Sequence, residues 1–446
     1  MPRTRLQLVH PPLKEREKPK LRQSRMVLPE YSQSFRCIGP ACEDSCCQGW
    51  AVPIDRSAYE KYQGVQPGPL RTLLDTKILL TPTDPNPAHY ARVQMPASQV
   101  CPFLNEERLC QIQCEHGEEF LSVTCATYPR IAQTIDNLKG VALSLSCPES
   151  ARLVLLNPRL LAPNSTGGYQ ISWQDTGPGE PSLLPYFWPI REFVLGLIAN
   201  RAYPLWQRLF LVGAFCRRLD TVKTAALKPD ALAVWERKPH DFLRGFPSLY
   251  HDFAGAVAAG GLRAAMDAIP ADLGLQLDIV LRLTGLGSKR ARINPRFLEC
   301  ARVFAEGIGL GANAPLKSCI GFYGTAYTHA YAPFFARHPY ILENYLINMI
   351  FAKAFPFGAK NGALPGDPNM AQEFAELATQ FALIKGLLIG VAGFYGNTFN
   401  ADHVIHTVQS ASKHFEHYPE FLPQAQGLLE ARGLNNAHGL TMLLRN

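Results

Sequence analysis

The sequence predicts a mainly α protein in which a loop-rich, cysteine-dense amino-terminal domain that binds metal is joined to a larger all-helical domain. Three observations carry that expectation. Nine of the twelve cysteines fall between Cys37 and Cys147. Apolar residues recur at spacings of three and four from Phe187 onward, and strand-like alternation is scarce after residue 190. With 446 residues, 47% hydrophobic and 18% charged, the chain is long enough for a large core and two domains.

The first element is a basic tail, residues 1–27. Up to Met26 it holds eight Arg or Lys against two acidic residues, nearly all of the net charge of +7, so the folded body is close to neutral and gives no nucleic-acid signal. The tail reads either as a disordered, solubilising extension or as a contact for an anionic partner. It contains no apolar run long enough for a signal-peptide core, which points to a cytoplasmic protein with reduced thiols.

Residues 28–156 form the cysteine-rich domain, punctuated by Gly39-Pro40 and by the proline-rich run from Thr81 to Pro87. So loop-rich a segment buries little apolar surface, and metal-ligand bonds make up such a deficit. Short helices are expected at Ser57 to Gln63 and around Gly117 to Cys125. Residues 157–186, rich in Pro, Gly, Ser and Asn, read as a linker or surface excursion.

Residues 187–446 form the helical domain. Ile190 to Ala199 leads into Leu205 to Leu219, where Leu205, Leu209, Val212, Phe215 and Leu219 make one buried face. His338 to Phe357 repeats the pattern through Ile341, Leu342, Tyr345, Leu346, Met349 and Ile350, with Pro356 as its stop. Residues 371–394 and 400–418 give two more helices. No stretch reads as membrane-spanning, because the best candidate, Phe381 to Phe394, is short and carries Lys385; a buried helix is expected there.

The chemistry sits in the thiols. Cys37, Cys42, Cys46 and Cys47 lie within eleven residues, followed by Cys101, Cys110, Cys114, Cys125 and Cys147. Adjacent Cys46 and Cys47 are poor disulfide partners, because a vicinal bridge strains the peptide between them. Thiolates suit zinc and iron-sulfur centres, and short spacings aim several sulfurs at one point. Zinc would take four ligands per site; a cluster would take four, or three with one iron open. Spacing alone does not choose. Elsewhere, Gly307 to Gly311 reads as a turn rather than a nucleotide loop. Asn344 and Asn348, one turn apart beside Glu343, make either a buried hydrogen-bond network or part of a pocket. His403, His406, His414, Glu416 and His417 could hold a metal or a base, or be a solvated helix face.

The string from Phe35 to Asp55, F-x-C-x-G-x-x-C-E-D-S-C-C-x-G-W-x-V-x-I-D, resembles the opening motif of the flagellin lysine-N-methylase family. So do Cys101 to Leu104, Leu109-Cys110, Leu121 to Arg130 and Leu145 to Arg152, and in the helical half Tyr203 to Phe210, Ile341 to Phe357 and Ser412 to Leu422. The cysteine set is also similar to a broader zinc- or iron-chelating domain with no methylase implication. The resemblance implies methyl transfer from S-adenosylmethionine to lysine ε-amines of a protein substrate, flagellin in the family, with an iron-sulfur cluster of the 4Fe-4S type at the site. Its pattern matches Cys37, Cys42, Cys46, Cys47, Cys101, Cys110, Cys125 and Cys147; Cys114 is extra. The basic tail and a degenerate carboxy-terminal motif depart from it.

A lysine ammonium is no nucleophile, so such a site must desolvate it or remove a proton. Glu43, Asp44, Tyr128, Glu343 and Tyr345 are the candidates for steering the amine, and Glu149, Asn344 and Asn348 for holding the cofactor. The alternatives are a non-enzymatic zinc or iron protein and a helical binding module with a structural metal site.

Overall fold

The computed structural model describes residues 26–446 except 28–29, 51, 82–85, 136–137, 161–183, 227–239, 286–293, 312, 359–367, 417 and 419. The basic tail, His417 and most of the 157–186 segment therefore lie outside the described residues.

Among the described residues the strands are Met26–Val27 (β1), Pro53–Ile54 (β2), Ile78–Leu80 (β3), Ala91–Val93 (β4), Arg130–Ile135 (β5) and Leu138–Leu143 (β6). In the amino-terminal part the helices are Glu30–Ser34 (α1), Arg56–Gln63 (α2), Pro69–Lys77 (α3), Gln111–His116 (α4), Val123–Thr127 (α5) and Pro148–Leu155 (α6). The chain continues through Leu184–Ala199 (α7), Leu205–Ala226 (α8), His240–Ala258 (α9), Arg263–Asp267 (α10), Leu273–Leu283 (α11), Pro295–Gly307 (α12) and Leu316–Ala326 (α13). It ends with Ala332–Arg337 (α14), Tyr340–Ala352 (α15), Met370–Tyr395 (α16), Ala401–Glu416 (α17), Phe421–Ala431 (α18) and Ala437–Leu444 (α19). The mainly α expectation holds, and among the described residues no strand follows Leu143.

Two three-stranded sheets were not expected from the sequence. One has the order β2-β4-β3, antiparallel throughout; in the other, β5 and β6 form an antiparallel hairpin and β1 adds in parallel to β6. Strands of two to six residues are too short for alternation to stand out. The helix expected around Gly117 to Cys125 is split: Glu118–Phe120 is a 3-10 turn, and Ser122, extended and buried, starts α5 by accepting a hydrogen bond from Cys125 N at 3.3 Å.

The apolar interior falls into two clusters. A small one joins Val52, Ile54, Tyr62, Leu74, Val93 and Phe103. The large one unites the helices with Tyr31, Phe35, Leu143, Leu145 and Val154, so β6 and α6 belong to the same packing unit as α15 and α17. Its spine is α16. The segment Met370–Thr398 is long and apolar enough to cross a membrane by composition, but 83% of its most apolar window is buried inside the protein. Close approach makes this possible: a Cβ on Gly307 of α12 would run into the Gly390 carbonyl of α16. Within the spine, Lys385 Nζ donates to Leu444 O at 2.5 Å, and burial pushes its pKa down to about 7.

Helix α15 is buried on all sides, and its polar residues serve as struts. Asn344 Nδ2 donates to the carbonyls of Val154 at 2.9 Å and Asn157 at 2.7 Å, satisfying the end of α6. Asn348 donates to Leu143 O at 2.8 Å and accepts from Tyr31 Oη at 3.0 Å. Glu343 is gripped by Arg208 and Arg201, each at 2.7 Å. The helix stops at Ala352, short of the expected stop at Pro356: the residue before a proline is steered away from helix, and the reversal is completed at Ala354, with a left-handed φ of 50°.

Glu343 and Arg208 have only 7% and 6% of their side chains exposed. Glu343→Ala strands a buried guanidinium and is expected to cost about 3–5 kcal/mol in denaturant unfolding; a loss under 1 kcal/mol would contradict the strut role.

Candidate active site and thiol recess

The thiols converge from four parts of the chain. The loop Cys37 to Trp50 runs against the segment around Cys101, with Cys101 N donating to Cys47 O at 2.8 Å and a bridge between Gln48 and Val100. Cys110 pairs with Leu104 across a second bridge, Cys125 rides on α5 and Cys147 sits just before α6. Cys101, Cys110 and Cys125 each lie within electrostatic reach of Cys46, and Cys47 within reach of Cys101 and Cys125. Cys147 lies within electrostatic reach of Cys42. Cys37 is exposed at the edge, its sulfur accepting from Gly39 N at 3.4 Å. Cys114 is exposed next to Cys110, while Cys216, Cys300 and Cys319 are buried in the helical body. All twelve are free thiols.

Cys46 and Cys125 keep accessible surface although protein surrounds them, so the thiols line a recess. Desolvation raises the pKa values of Cys101, Cys125 and Cys147 to about 11. Cys46 moves the other way, to about 7, because the Cys47 thiol donates to it and Lys413 is near. Their sulfurs are 4.0 Å apart. Among the described residues, no three His, Cys, Asp or Glu side chains converge on the position of a single metal ion.

The recess is tied to the helical body through α17. Lys413 Nζ contacts Asp44 Oδ1 at 2.7 Å and Ser45 O at 3.0 Å, and Gln409 Nε2 donates to Asp44 Oδ2 at 2.7 Å and to Ser146 O at 2.8 Å. Outside this pair, Arg152 of α6 bridges Glu43 and Glu149, and Arg296 of α12 approaches Glu43 at 3.7 Å.

Next to the recess is a cavity of about 560 Å³ between the β5–β6 hairpin and α15, α16 and α17, with Trp50 and Tyr128 contributed from the thiol side. Apolar and aromatic side chains such as Met349, Leu383, Ile384 and Phe415 make most of its wall. Tyr128 Oη hydrogen-bonds with Ser146 Oγ at 3.0 Å, Ser146 Oγ with Ser144 Oγ at 2.5 Å, and Ser144 Oγ donates to Glu416 Oε2 at 2.6 Å. This unbroken chain of hydroxyls runs from beside the thiols to a carboxylate. Glu416 is exposed at the end of α17 and lines the cavity, and desolvation by the surrounding protein raises its pKa above the usual carboxylate range while the Ser144 hydrogen bond pulls it down. Burial lowers the pKa of Lys353 on the same wall, against the opposing effect of Glu376, Glu373 and Glu416.

Of the residues singled out from the sequence, Tyr128, Tyr345 and Asn348 line the cavity. Asp44, Glu43 and Glu149 lie at the recess, where their oxygens meet Lys413, Gln409 and Arg152. Glu343 and Asn344 are outside the cavity lining and hold helices together. The histidines disperse: His403 stacks on Tyr395, His414 on Phe297, and His406 points towards Glu299. Lys353, Ser144 and Ser146 were missed, and Glu416 was seen only within the histidine run. The available signal was a charge at the end of each apolar helix, Lys353 after α15 and Glu416 closing α17.

The fold and site define a helical protein that sets a thiol-rich lobe against a cavity holding an amine and a carboxylate. Residues 191–443, more than half of the chain, match the family model described as the FliB lysine N-methylase C-terminal domain. The chain belongs to the lysine N-methylase family, in agreement with the resemblance of its motifs. It is 35% identical over 135 residues to the "Flagellar biosynthetic protein FliU" of Salmonella muenchen, covering 30% of this chain and 79% of that protein. The same identity and length relate it to the "Lysine-N-methylase" of Salmonella typhimurium (strain LT2) and that of Salmonella choleraesuis (strain SC-B67), where only 33% of each relative is covered. No solved structure matches.

Asp44 and Lys413 are nearly enclosed, with 9% and 3% of their side chains exposed. Lys413→Met leaves the Asp44 charge without its cation, at an expected cost of about 3–5 kcal/mol. Limited proteolysis within the Cys37 to Trp50 loop should then be faster than in the parent; unchanged cleavage rates would show that the pair does not hold the loop.

Proposed function

We propose that this protein is a protein lysine N-methyltransferase that uses S-adenosylmethionine, with the cavity as the place of reaction and an iron-sulfur cluster in the thiol recess. The observation that carries this reading is the hydroxyl chain from Tyr128 to Glu416, which joins the recess to the cavity. The family membership supports the reaction class.

The donor set, rich in cysteine, suits a cluster. Clusters are held by cysteine thiolates, and Cys46, Cys101, Cys110 and Cys125 lie within electrostatic reach of one another. Cys42, Cys46, Cys47, Cys101, Cys110, Cys125 and Cys147, with Cys37 at the edge, are the residues that would hold it. When bound, the donor supplies an electrophilic methyl group and the cluster an iron able to anchor the donor's amino and carboxylate groups.

The chain's own residues handle the acceptor. An ammonium entering the apolar cavity is drawn to Glu416, loses water, and gives its proton to that carboxylate. A raised pKa makes Glu416 a stronger base than a solvated carboxylate, and Ser144, Ser146 and Tyr128 offer a route by which the proton leaves. The walls exclude water and hold the acceptor in line with the methyl group. The substrate is a protein bearing surface lysines, with flagellin the first to test because one relative is named a flagellar biosynthetic protein. Free thiols throughout suit a reducing compartment such as the cytoplasm.

The test is anaerobic reconstitution with iron and sulfide, followed by incubation with methyl-labelled S-adenosylmethionine and either flagellin or cell extract. Labelled lysine in a protein product, with a brown colour and bound iron, is expected; colourless protein holding stoichiometric zinc would overturn the cluster. Cys46→Ser should lose iron, and Cys114→Ser should retain it.

Glu416→Gln keeps the hydrogen bond from Ser144 and removes the base, so the rate of labelling is expected to fall by about 10²–10⁴-fold. The rate in the parent should rise with pH through a value above the usual carboxylate range, with Ser144, Ser146, Lys353, Tyr345 and Tyr128 the groups within reach of Glu416. Because a raised folded-state pKa costs stability once pH exceeds the unfolded value, Glu416→Gln should melt no lower than the parent at neutral pH. A variant that methylates normally would remove Glu416 from the reaction.

A further inference from the structure

The methyltransferase reading leaves one reactive group in the cavity without a task. Lys353 follows α15 immediately, and its backbone is fixed by the turn through Ala354, closed by Phe355 N donating to Ile350 O at 3.1 Å and by Gln133 donating to Ala352 O. Ala354, Phe355 and Phe357 are buried, so this turn is part of the core rather than a loop. The side chain lines the cavity, and among the described residues its Nζ forms no hydrogen bond or ion pair. A charged amine is seldom left recessed and unpaired without a reason.

We propose that Lys353 is itself a methylation site, its Nζ receiving methyl groups inside the cavity of its own chain. The inference rests on the methyltransferase reading.

Four considerations favour it. The charges around the amine are carboxylates, Glu373, Glu376 and Glu416, so an anionic ligand is disfavoured and an amine or alkylammonium is suited. Methylation preserves lysine's charge while replacing N–H donors, and among the described residues Nζ donates to no protein acceptor. Added methyl groups would meet an aromatic and aliphatic wall that includes Tyr345, Phe415 and Phe421, and aromatic faces attract alkylammonium ions. Burial also lowers the pKa of the amine, which raises its neutral, nucleophilic fraction.

In the step itself, the Lys353 nitrogen lone pair forms a bond to the sulfonium methyl carbon of S-adenosylmethionine as the carbon–sulfur bond breaks. S-adenosylhomocysteine leaves, and a proton of the resulting ammonium passes to the Glu416 carboxylate.

The test uses the full chain. Protein isolated from cells, and reconstituted protein incubated with deuteromethyl S-adenosylmethionine, are digested and the peptide containing residue 353 is fragmented. One or more methyl groups on Lys353 are expected in the first sample and labelled ones in the second. In Lys353→Arg, with melting behaviour checked against the parent, that label should vanish; in the iron-deficient Cys46→Ser protein the native methyl groups should be missing. Label on flagellin or extract proteins with an unmodified Lys353 would overturn the inference and leave the enzyme reading intact. Absence of label from every protein would overturn both.

Discussion

The buried contact between Asp44 and Lys413 is the join on which the site depends. Without it, the Cys37 to Trp50 loop is a turn-rich segment held by few apolar contacts and tied to the helices chiefly through the more exposed pairing of Glu43 with Arg152 and Arg296. Charge pairing in an enclosed place is a weak source of net stability, because desolvation consumes much of the attraction. It is a strong source of position. An Asp44 that leaves Lys413 and Gln409 abandons a charge in protein surroundings, so the loop has one well-defined place to sit. The same helix carries Glu416 one turn further on, and the recess and the cavity thereby share a common mount.

Helix α15 does for the interior what that pair does for the recess. Its Asn344 and Asn348 complete backbone groups at the end of α6 and on β6, groups that would otherwise be buried without partners. Glu343 ties α15 to Arg201 and Arg208 of the preceding helical region. The hairpin that bears Ser144 is thus fixed from behind by Asn348 and from the front by the hydrogen bond to Glu416. The hydroxyl chain inherits its geometry from these supports.

Much of this was legible in the sequence. Helices over 205–219, 371–394 and 400–418 followed from apolar periodicity, because each buries a continuous face against others. The cysteine spacing marked the thiol group; Cys114, which the family motif leaves out, is exposed beside Cys110, as Cys37, Cys46 and Cys125 are exposed. The short sheets were hidden because pairings of two or three residues leave no periodic trace. The cavity was hidden for a different reason: Tyr128, Ser144, Lys353 and Glu416 are scattered over nearly three hundred residues, and only packing brings them to one wall. Polar residues on apolar helices were visible, but sequence offers no way to tell the strut Asn344 from the lining Asn348 one turn away.

Gln409, Lys413 and Glu416 stand at spacings of four and three on α17 and so share one face of that helix. Two of them grip the thiol loop and the third faces the cavity. A single residue inserted between Lys413 and Glu416 would turn the carboxylate by about 100° away from Ser144 while leaving the grip on Asp44 untouched. Divergence along this stretch is therefore constrained in length as well as in side-chain identity: substitutions can be absorbed one at a time, whereas a change of one residue in the helix would uncouple the two halves of the site at once.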